Sequence, residues 1–227
     1  MSLRLLSGGA AQRLVHAVTP RFRAETGSDV DGTFSAVGAM CAKLEAGEPA
    51  DLVILTAALV DQLENDGKIV RGSGRAIGAV PTGIAVRAGD PAPAIGSVDE
   101  VRVAFLGADA LYVPDLKQST AGIHVKKILG RMGILAEMTP RIRESANGNL
   151  AMAALAEAAG QPIGCTQVTE ILGTPGVDLV GPLPEAIGLS TVYTAGVCTH
   201  ATAPDLARRF IDMLAMAPER GAFGISG

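Results

Sequence analysis

Short apolar runs alternate with amphipathic stretches through the first part of the chain. Leu3 to Leu6 reads as a strand, and Ser7-Gly8-Gly9-Ala10-Ala11 turns out of it into a helix. That helix places Leu14, Val15, Val18 and Phe22 on one face, with Arg13, Arg21 and Arg23 more exposed. Thr26-Gly27 ends it, Val30 to Phe34 supplies a second strand, and a helix from about Ala36 to Ala46 is closed by Gly47. Asp51 leads into Leu52-Val53-Ile54-Leu55, a continuous apolar run of the kind a strand buried on both faces requires. With Ala57 to Asn65 again helical, the β-α-β-α-β-α series predicts a parallel sheet covered by helices, an α/β architecture.

The pattern then changes. Ala76 to Val86 is β-rich and contains Pro81 and Gly83, as a strand crossing between two lobes would. Val101 to Leu106 reads as the first strand of a second sheet, Gly107 to Thr120 as a long polar connection, and Ala121 to Met132 as a helix. An alanine-rich helix over Leu150 to Ala159 precedes strands at Ile163 to Thr166 and Val177 to Val180. Gly188 to Val197 reads as a returning strand and Ala203 to Met216 as a closing helix. Crossings near 80 and near 187 predict a first lobe of residues 1–79 plus 188–227, with 80–187 inserted as the second. Ligands of open α/β sheets lie beyond the C-terminal strand ends, where helix N-termini point, so two such lobes predict a hinge-closing cleft.

Composition narrows the function. Hydrophobic residues make up 48% and charged residues 19% of the 227, which excludes a disordered polyelectrolyte. With no Trp, two Tyr and five Phe, a site here does not rest on base stacking. The net charge is −4 and no run of Lys and Arg forms a phosphate track, so nucleic acid is not an expected partner. No stretch approaches about 18 uninterrupted apolar residues, so no membrane span is predicted. Met1 to Leu6 shows no cationic segment followed by an apolar one. The expected location is periplasmic if an export signal has been removed, and cytoplasmic otherwise. Cys41, Cys165 and Cys198 are an odd, widely spaced set without CxxC and read as three buried thiols; no metal or cofactor is expected.

Particular segments carry a resemblance. Phe34-Ser35-Ala36-Val37-Gly38, followed by Lys43-Leu44-Glu45-Ala46-Gly47-Glu48-Pro49-Ala50-Asp51-Leu52-Val53-Ile54, resembles the periplasmic molybdate-binding proteins of ABC importers, whose pattern there is a Ser-rich turn, a helix and A-G-x-P-A-D before a strand. Ser119-Thr120-Ala121-Gly122-Ile123 at a helix start, Gln161-Pro162-Ile163-Gly164 before a strand and Gly221-Ala222-Phe223-Gly224-Ile225 near the end are similar too. The resemblance covers essentially the whole chain. It implies the type 2 periplasmic-binding-protein fold, two α/β lobes with a cleft between them joined by two crossing strands. It also implies a small anionic ligand and importer membrane subunits as partners.

The same resemblance implies a site of hydroxyls and backbone N–H groups at helix N-termini, and this chain departs from it at three positions. Ala10 and Val37 stand where the family has Ser, and Gln167 where it often has Tyr; Ala121 and Gly148 match backbone donor positions. Each charged hydrogen bond contributes about 1.5–3 kcal/mol, so the loss of three side-chain donors disfavours molybdate. The replacements suit an organic carboxylate. Gly8 and Gly9 leave room and N–H groups, Ser7 and Ser35 add hydroxyls, and Lys117 with Ser119 and Thr120 offers a carboxylate cradle at a helix start. Asn147 adds an amide. Against this, Ser119, Thr120 and Asn147 also suit plain helix capping, Lys117 a solvated loop, Gly8-Gly9 a tight turn and Gln167 a satisfied core amide.

Catalytic motifs are sparse. Ser7-Gly8-Gly9 is not a nucleophile elbow, and His16, His124 and His200 lack metal spacing. One enzymatic alternative comes from the resemblance itself. Aconitate isomerases resemble molybdate-binding proteins while moving a double bond in a tricarboxylate, which requires a proton carrier beside a clamped carboxylate. Lys117, His200 and Glu170 are the candidates for that carrier, with Arg143 to hold a carboxylate.

Overall fold

The computed structural model describes residues 2–227. The chain forms two compact units, one running up to Val80 and resuming over Val192–Gly227, the other comprising Pro81–Thr191. The first unit contains β1 (Ser2–Gly8), α1 (Gln12–Thr26), β2 (Asp29–Ser35), α2 (Val37–Glu45), β3 (Leu52–Thr56) and α3 (Ala57–Asn65). The chain then leaves through β4 (Arg75–Arg87). The second unit contains α4 (Val98–Gly107), β5 (Leu111–Pro114), α5 (Thr120–Arg131), α6 (Leu135–Met138), β6 (Ile142–Ser145), α7 (Gly148–Ala156), β7 (Ile163–Gln167), α8 (Val168–Leu172) and β8 (Val177–Pro182). The return is made by β9 (Ser190–Val197), and α9 (Pro204–Ala215) closes the first unit.

In the first unit the sheet order is β2-β1-β3-β9, with β1 parallel to both β2 and β3, and β9 antiparallel to β3. Leu52 to Leu55 expose no surface, as the unbroken apolar run requires of a central strand. The buried face of α1 is Leu14, Val15, Val18 and Phe22, and the helix ends at Gly27, whose φ of 69° suits glycine. Ala207, Phe210, Ile211 and Leu214 form the matching face of α9. The Phe22 and Phe210 rings meet edge to face with centroids 4.9 Å apart, a geometry that adds about 0.5–1.5 kcal/mol beyond burial.

Asp51, just ahead of β3, ties this sheet together at its lower edge. Its carboxylate accepts from the Arg4 N–H (2.8 Å) and Arg4 Nε (3.3 Å), and from the Thr202 N–H (2.6 Å) and hydroxyl (2.8 Å). Burial opposes the charge, but the bonds from Arg4 and Thr202 outweigh it and hold the carboxyl down at about 2. The acidic end of the Ala-Asp motif is therefore a structural clamp.

In the second unit β5 lies between β7 and β6 and is parallel to both, while β4 runs antiparallel to β7 and β8. The period of two sorts its side chains onto two covered faces. Ile84, Val86, Leu111, Val113, Ile163 and Cys165 pack with Val101 and Phe105 of α4 and Val125, Ile128 and Leu129 of α5. Ala85, with Tyr112 beside it, packs with Ala151, Met152 and Leu155 of α7 and Ile171 of α8.

Two expectations are corrected here. Val101 to Leu106 is not a strand but the body of α4. A capping box decides it: Glu100 N–H donates to Ser97 Oγ (3.2 Å), Ser97 N–H to Glu100 Oε2 (3.1 Å), and Val101 and Phe105 then bury at helical spacing. The stretch from Gly107 to Thr120 is not all connection, because Leu111–Pro114 forms β5 at the centre of the three parallel strands.

Candidate anion site

In the first unit β1, β2 and β3 end at Gly8, Ser35 and Thr56, and each runs into a helical turn. The connection from β1 leads to β2 on one side, and that from β2 returns past β1 to β3. Such a reversal is the switch point at which open α/β sheets hold ligands. Gly8 and Ser35 are register partners, so the turns beginning at Gly9 and Val37 lie on neighbouring strands, about 4.8 Å apart.

The side chains there are less open than their types suggested. Ser7 is fully buried and its hydroxyl donates to the Gly8 carbonyl at 2.9 Å, so it serves the turn. The space above Gly8 is filled: a Cβ there would lie 2.7 Å from Val37 Cγ1 and 3.1 Å from Tyr193 Cε1. The glycine answers a close approach and does not enlarge a pocket. Gly9, Ala10 and Val37 are buried, Ser35 is half-buried, and Ala36 at the N-cap of α2 has no side chain to cap it.

In the second unit the parallel strands β5, β6 and β7 end at Pro114, Ser145 and Gln167, with Pro114 and Ser145 in register. The connection from β5 leads to β6 and that from β6 returns past β5 to β7, a second switch point. Asp115 shapes the approach to α5, its Oδ1 accepting from the N–H groups of Lys117 and Gln118, both at 2.7 Å. The Lys117 side chain is exposed, Ser119 and Thr120 are half-buried, and Ala121 is fully buried. Ser119 is the N-cap of α5 yet makes no capping bond. By contrast Thr56, Ser97 and Asn147 each accept from their own helices. Asn147 thus caps α7 through the Leu150 N–H at 3.0 Å. Buried Gln167 directs its amide to Thr191 Oγ1 at 3.3 Å.

One acidic group is built into this edge. Glu170 of α8 is 5% exposed, and the Thr166 hydroxyl donates to its Oε2 at 2.5 Å. The N–H groups of Gln167 and of Gly148, the first residue of α7, also donate to this carboxyl. Burial pushes the carboxyl up to about 7 against the opposite pull of those three bonds. Glu170 was legible only as an acidic residue after a strand. Its partner Thr166 stands four residues earlier, across the strand-to-helix boundary, and Gly148 is remote in sequence.

Other candidates lie elsewhere. His200 is exposed beyond β9, on the edge where Cys198 N–H bonds the Asp51 carbonyl, opposite the ends of β1 and β3. Arg143 donates to the carbonyls of Pro140 (2.9 Å) and Ile142 (3.0 Å) at the start of β6, away from its C-terminal end. His124 Nε2 sits 2.7 Å from the Ile187 carbonyl, and His16 packs edge-on to Phe34. The three cysteines are buried free thiols; burial pushes Cys41 up to about 11 and Cys165 and Cys198 to about 12. They are not nucleophiles at neutral pH.

The model of the family described as bacterial extracellular solute-binding protein matches residues 3–227. The chain belongs to that family. This solute-binding protein is 27% identical over 233 aligned positions to an aconitate isomerase of a Pseudomonas species, covering 100% of this chain and 87% of the relative. It is 26% identical over 195 positions to the molybdate-binding protein ModA of Escherichia coli K12, covering 83% of this chain and 75% of that one. The periplasmic molybdate-binding protein of Azotobacter vinelandii matches it with a TM-score of 0.79 at 17% identity, over 97% of this chain and 95% of that one. The periplasmic-binding fold implied by the sequence resemblance is thereby established. Among the described residues, no helix is long and apolar enough to cross a membrane.

Proposed function

We propose that this solute-binding protein captures a small organic anion, a carboxylate of the citrate or aconitate class, as the binding subunit of an importer. The observation that carries the reading is the start of α5. Ser119 is a polar N-cap that does not cap, beside Thr120, while the corresponding polar caps of α3, α4 and α7 are engaged. The first N–H groups of a helix attract an anion through their partial charge, and a carboxylate there also takes hydroxyl donors. Lys117 adds a cation on the adjoining loop. Export of the protein to the periplasm accompanies this role.

Val37 supports a carboxylate over a tetrahedral oxyanion. An apolar, buried side chain occupies the turn where the resemblance to molybdate-binding proteins calls for a hydroxyl. A compact dianion needs donors on every side, whereas a polycarboxylate concentrates its demand at its ends.

A second reading, double-bond isomerisation by proton transfer, is favoured by the full-length similarity to an aconitate isomerase and by Glu170. A carboxyl near 7 matches the working range of a general acid or base. The test is a thermal-shift screen of molybdate, sulfate, citrate and cis- and trans-aconitate, with the aconitates then followed by proton NMR. Stabilisation by carboxylates alone supports the proposal, and interconversion of the aconitates moves it to the isomerase. Stabilisation by molybdate or sulfate alone sinks both, since a ligand at 100 times its Kd adds about 2.7 kcal/mol and would register.

A further inference from the structure

The N-terminus of α7 already holds an anion of the protein's own. Gly148 opens that helix, and its N–H, the Gln167 N–H and the Thr166 hydroxyl converge on the Glu170 carboxyl. The fit is close enough that a Cβ on Gly148 would overlap Glu170 Oε2, its carboxyl carbon and Thr166 Oγ1. We propose that Glu170 makes anion capture proton-linked: charged, it fills the α7 N-terminus and repels an incoming anion, and the anion binds when Glu170 takes up a proton. This rests on the reading of the strand ends as an anion site.

Among the described residues, the partners of the Glu170 carboxyl are two backbone N–H groups and a hydroxyl, with no cation among them. Within the elements packed on Glu170, α7 carries no ionisable side chain, β7 only the buried Cys165 thiol, and α8 only Glu170 itself. On β8, Asp178 takes the Gly89 N–H at 3.1 Å. On β6, Glu144 takes the Leu116 N–H, and Arg143 is held by the carbonyls of Pro140 and Ile142. Tyr112 of β5 packs against the α7 cluster. Two carboxylates brought to one donor set share a proton instead of both ionising. A protonated Glu170 also reverses its role, because its O–H becomes a donor and the Gly148 N–H is released for the ligand.

Calorimetric titration of the full chain with trans-aconitate and with sulfate, from about pH 7 to about pH 9, tests this, since the charge of neither probe changes there. The expected result is affinity for trans-aconitate, and for sulfate should it bind, falling about tenfold per pH unit, with uptake approaching one proton per anion, read from buffers of different ionisation enthalpy. Glu170→Gln, which mimics the protonated carboxyl, is expected to bind with one affinity across the range and to take up no proton. Binding by the wild-type chain that is flat in pH and takes up no proton overturns the proposal, with or without a folded variant. A slope that persists in Glu170→Gln overturns it as well. Absence of binding by carboxylate and oxyanion at every pH instead overturns anion capture itself, and the proton link with it.

Discussion

Gly148 lies so close to the Glu170 carboxyl that the glycine position tolerates no added side chain. A Cβ on Gly148 would overlap the Glu170 carboxyl, with Thr166 Oγ1 behind it. The demand is for close approach, since Gly148 is not among the glycines with positive φ.

Gly148→Ala is therefore expected to displace the Glu170 carboxyl from its donors. The loss should be about 1–3 kcal/mol, the range for overpacking a buried site, and Tm should fall by roughly 2–12 °C. In a Glu170→Ala background, which empties the space, the same substitution should lose less than about half as much. Urea unfolding of the four proteins measures the cycle. Equal losses in both backgrounds would refute the contact as the cause.

Glu170 should also mark the pH dependence of stability. Its carboxyl is pushed up to about 7 by burial, above the roughly 4.3 of an unfolded Glu. The folded state therefore holds the proton more tightly. Its stabilising contribution is complete below about pH 4 and is lost as pH rises to about 7, a change on the order of 3 kcal/mol. Glu170→Gln removes that loss, so relative to wild type the variant should gain stability between about pH 5 and about pH 8. A constant difference at both pH values would show that the carboxyl does not titrate in this window.

Asp51 carries the opposite sign. Its carboxyl lies at about 2, below the roughly 3.9 of an unfolded Asp, because the bonds from Arg4 and Thr202 outweigh burial. The stabilisation, about 2–3 kcal/mol, is present above about pH 4 and lost as pH falls through about 2. Asp51→Asn should lower stability at neutral pH by a similar amount and flatten the acid limb of the curve. A variant that unfolds in acid just as the wild type does would assign the acid limb to other groups.

The fold was legible where one face of an element is buried over several turns. Leu14, Val15, Val18 and Phe22 announce α1, and Leu52 to Leu55 announce β3, because the burial each records is complete. At Val101 to Leu106 β-branched and aromatic residues mimic a strand, and only the Ser97–Glu100 pair reveals the helix. β5 and β6, four residues each, are too short to display a period. The site was less legible for a physical reason. Side-chain type marked Ser7 and Gly8 as open to a ligand, but accessibility depends on Val37 and Tyr193, which the fold brings onto Gly8 from other strands and turns. Glu170 gains its character from Gly148 and Thr166 in the same way.

If the carboxylate proposal holds, Val37 is the position at which a substitution should shift the ligand class. It is 6% exposed at the first turn of α2, beside Gly8, where molybdate-binding proteins of this resemblance carry a serine. Val37→Ser restores a hydroxyl at that turn and removes both valine methyls, one of which packs against Gly8, with an expected stability loss of about 1–3 kcal/mol. One added bond to an oxyanion contributes about 1.5–3 kcal/mol, so molybdate and sulfate affinity should rise about tenfold or more. Affinity for trans-aconitate should not rise with it. Calorimetric titration with the three anions measures the shift; equal gains for all three would mean that Val37 limits access to the site without selecting among ligands.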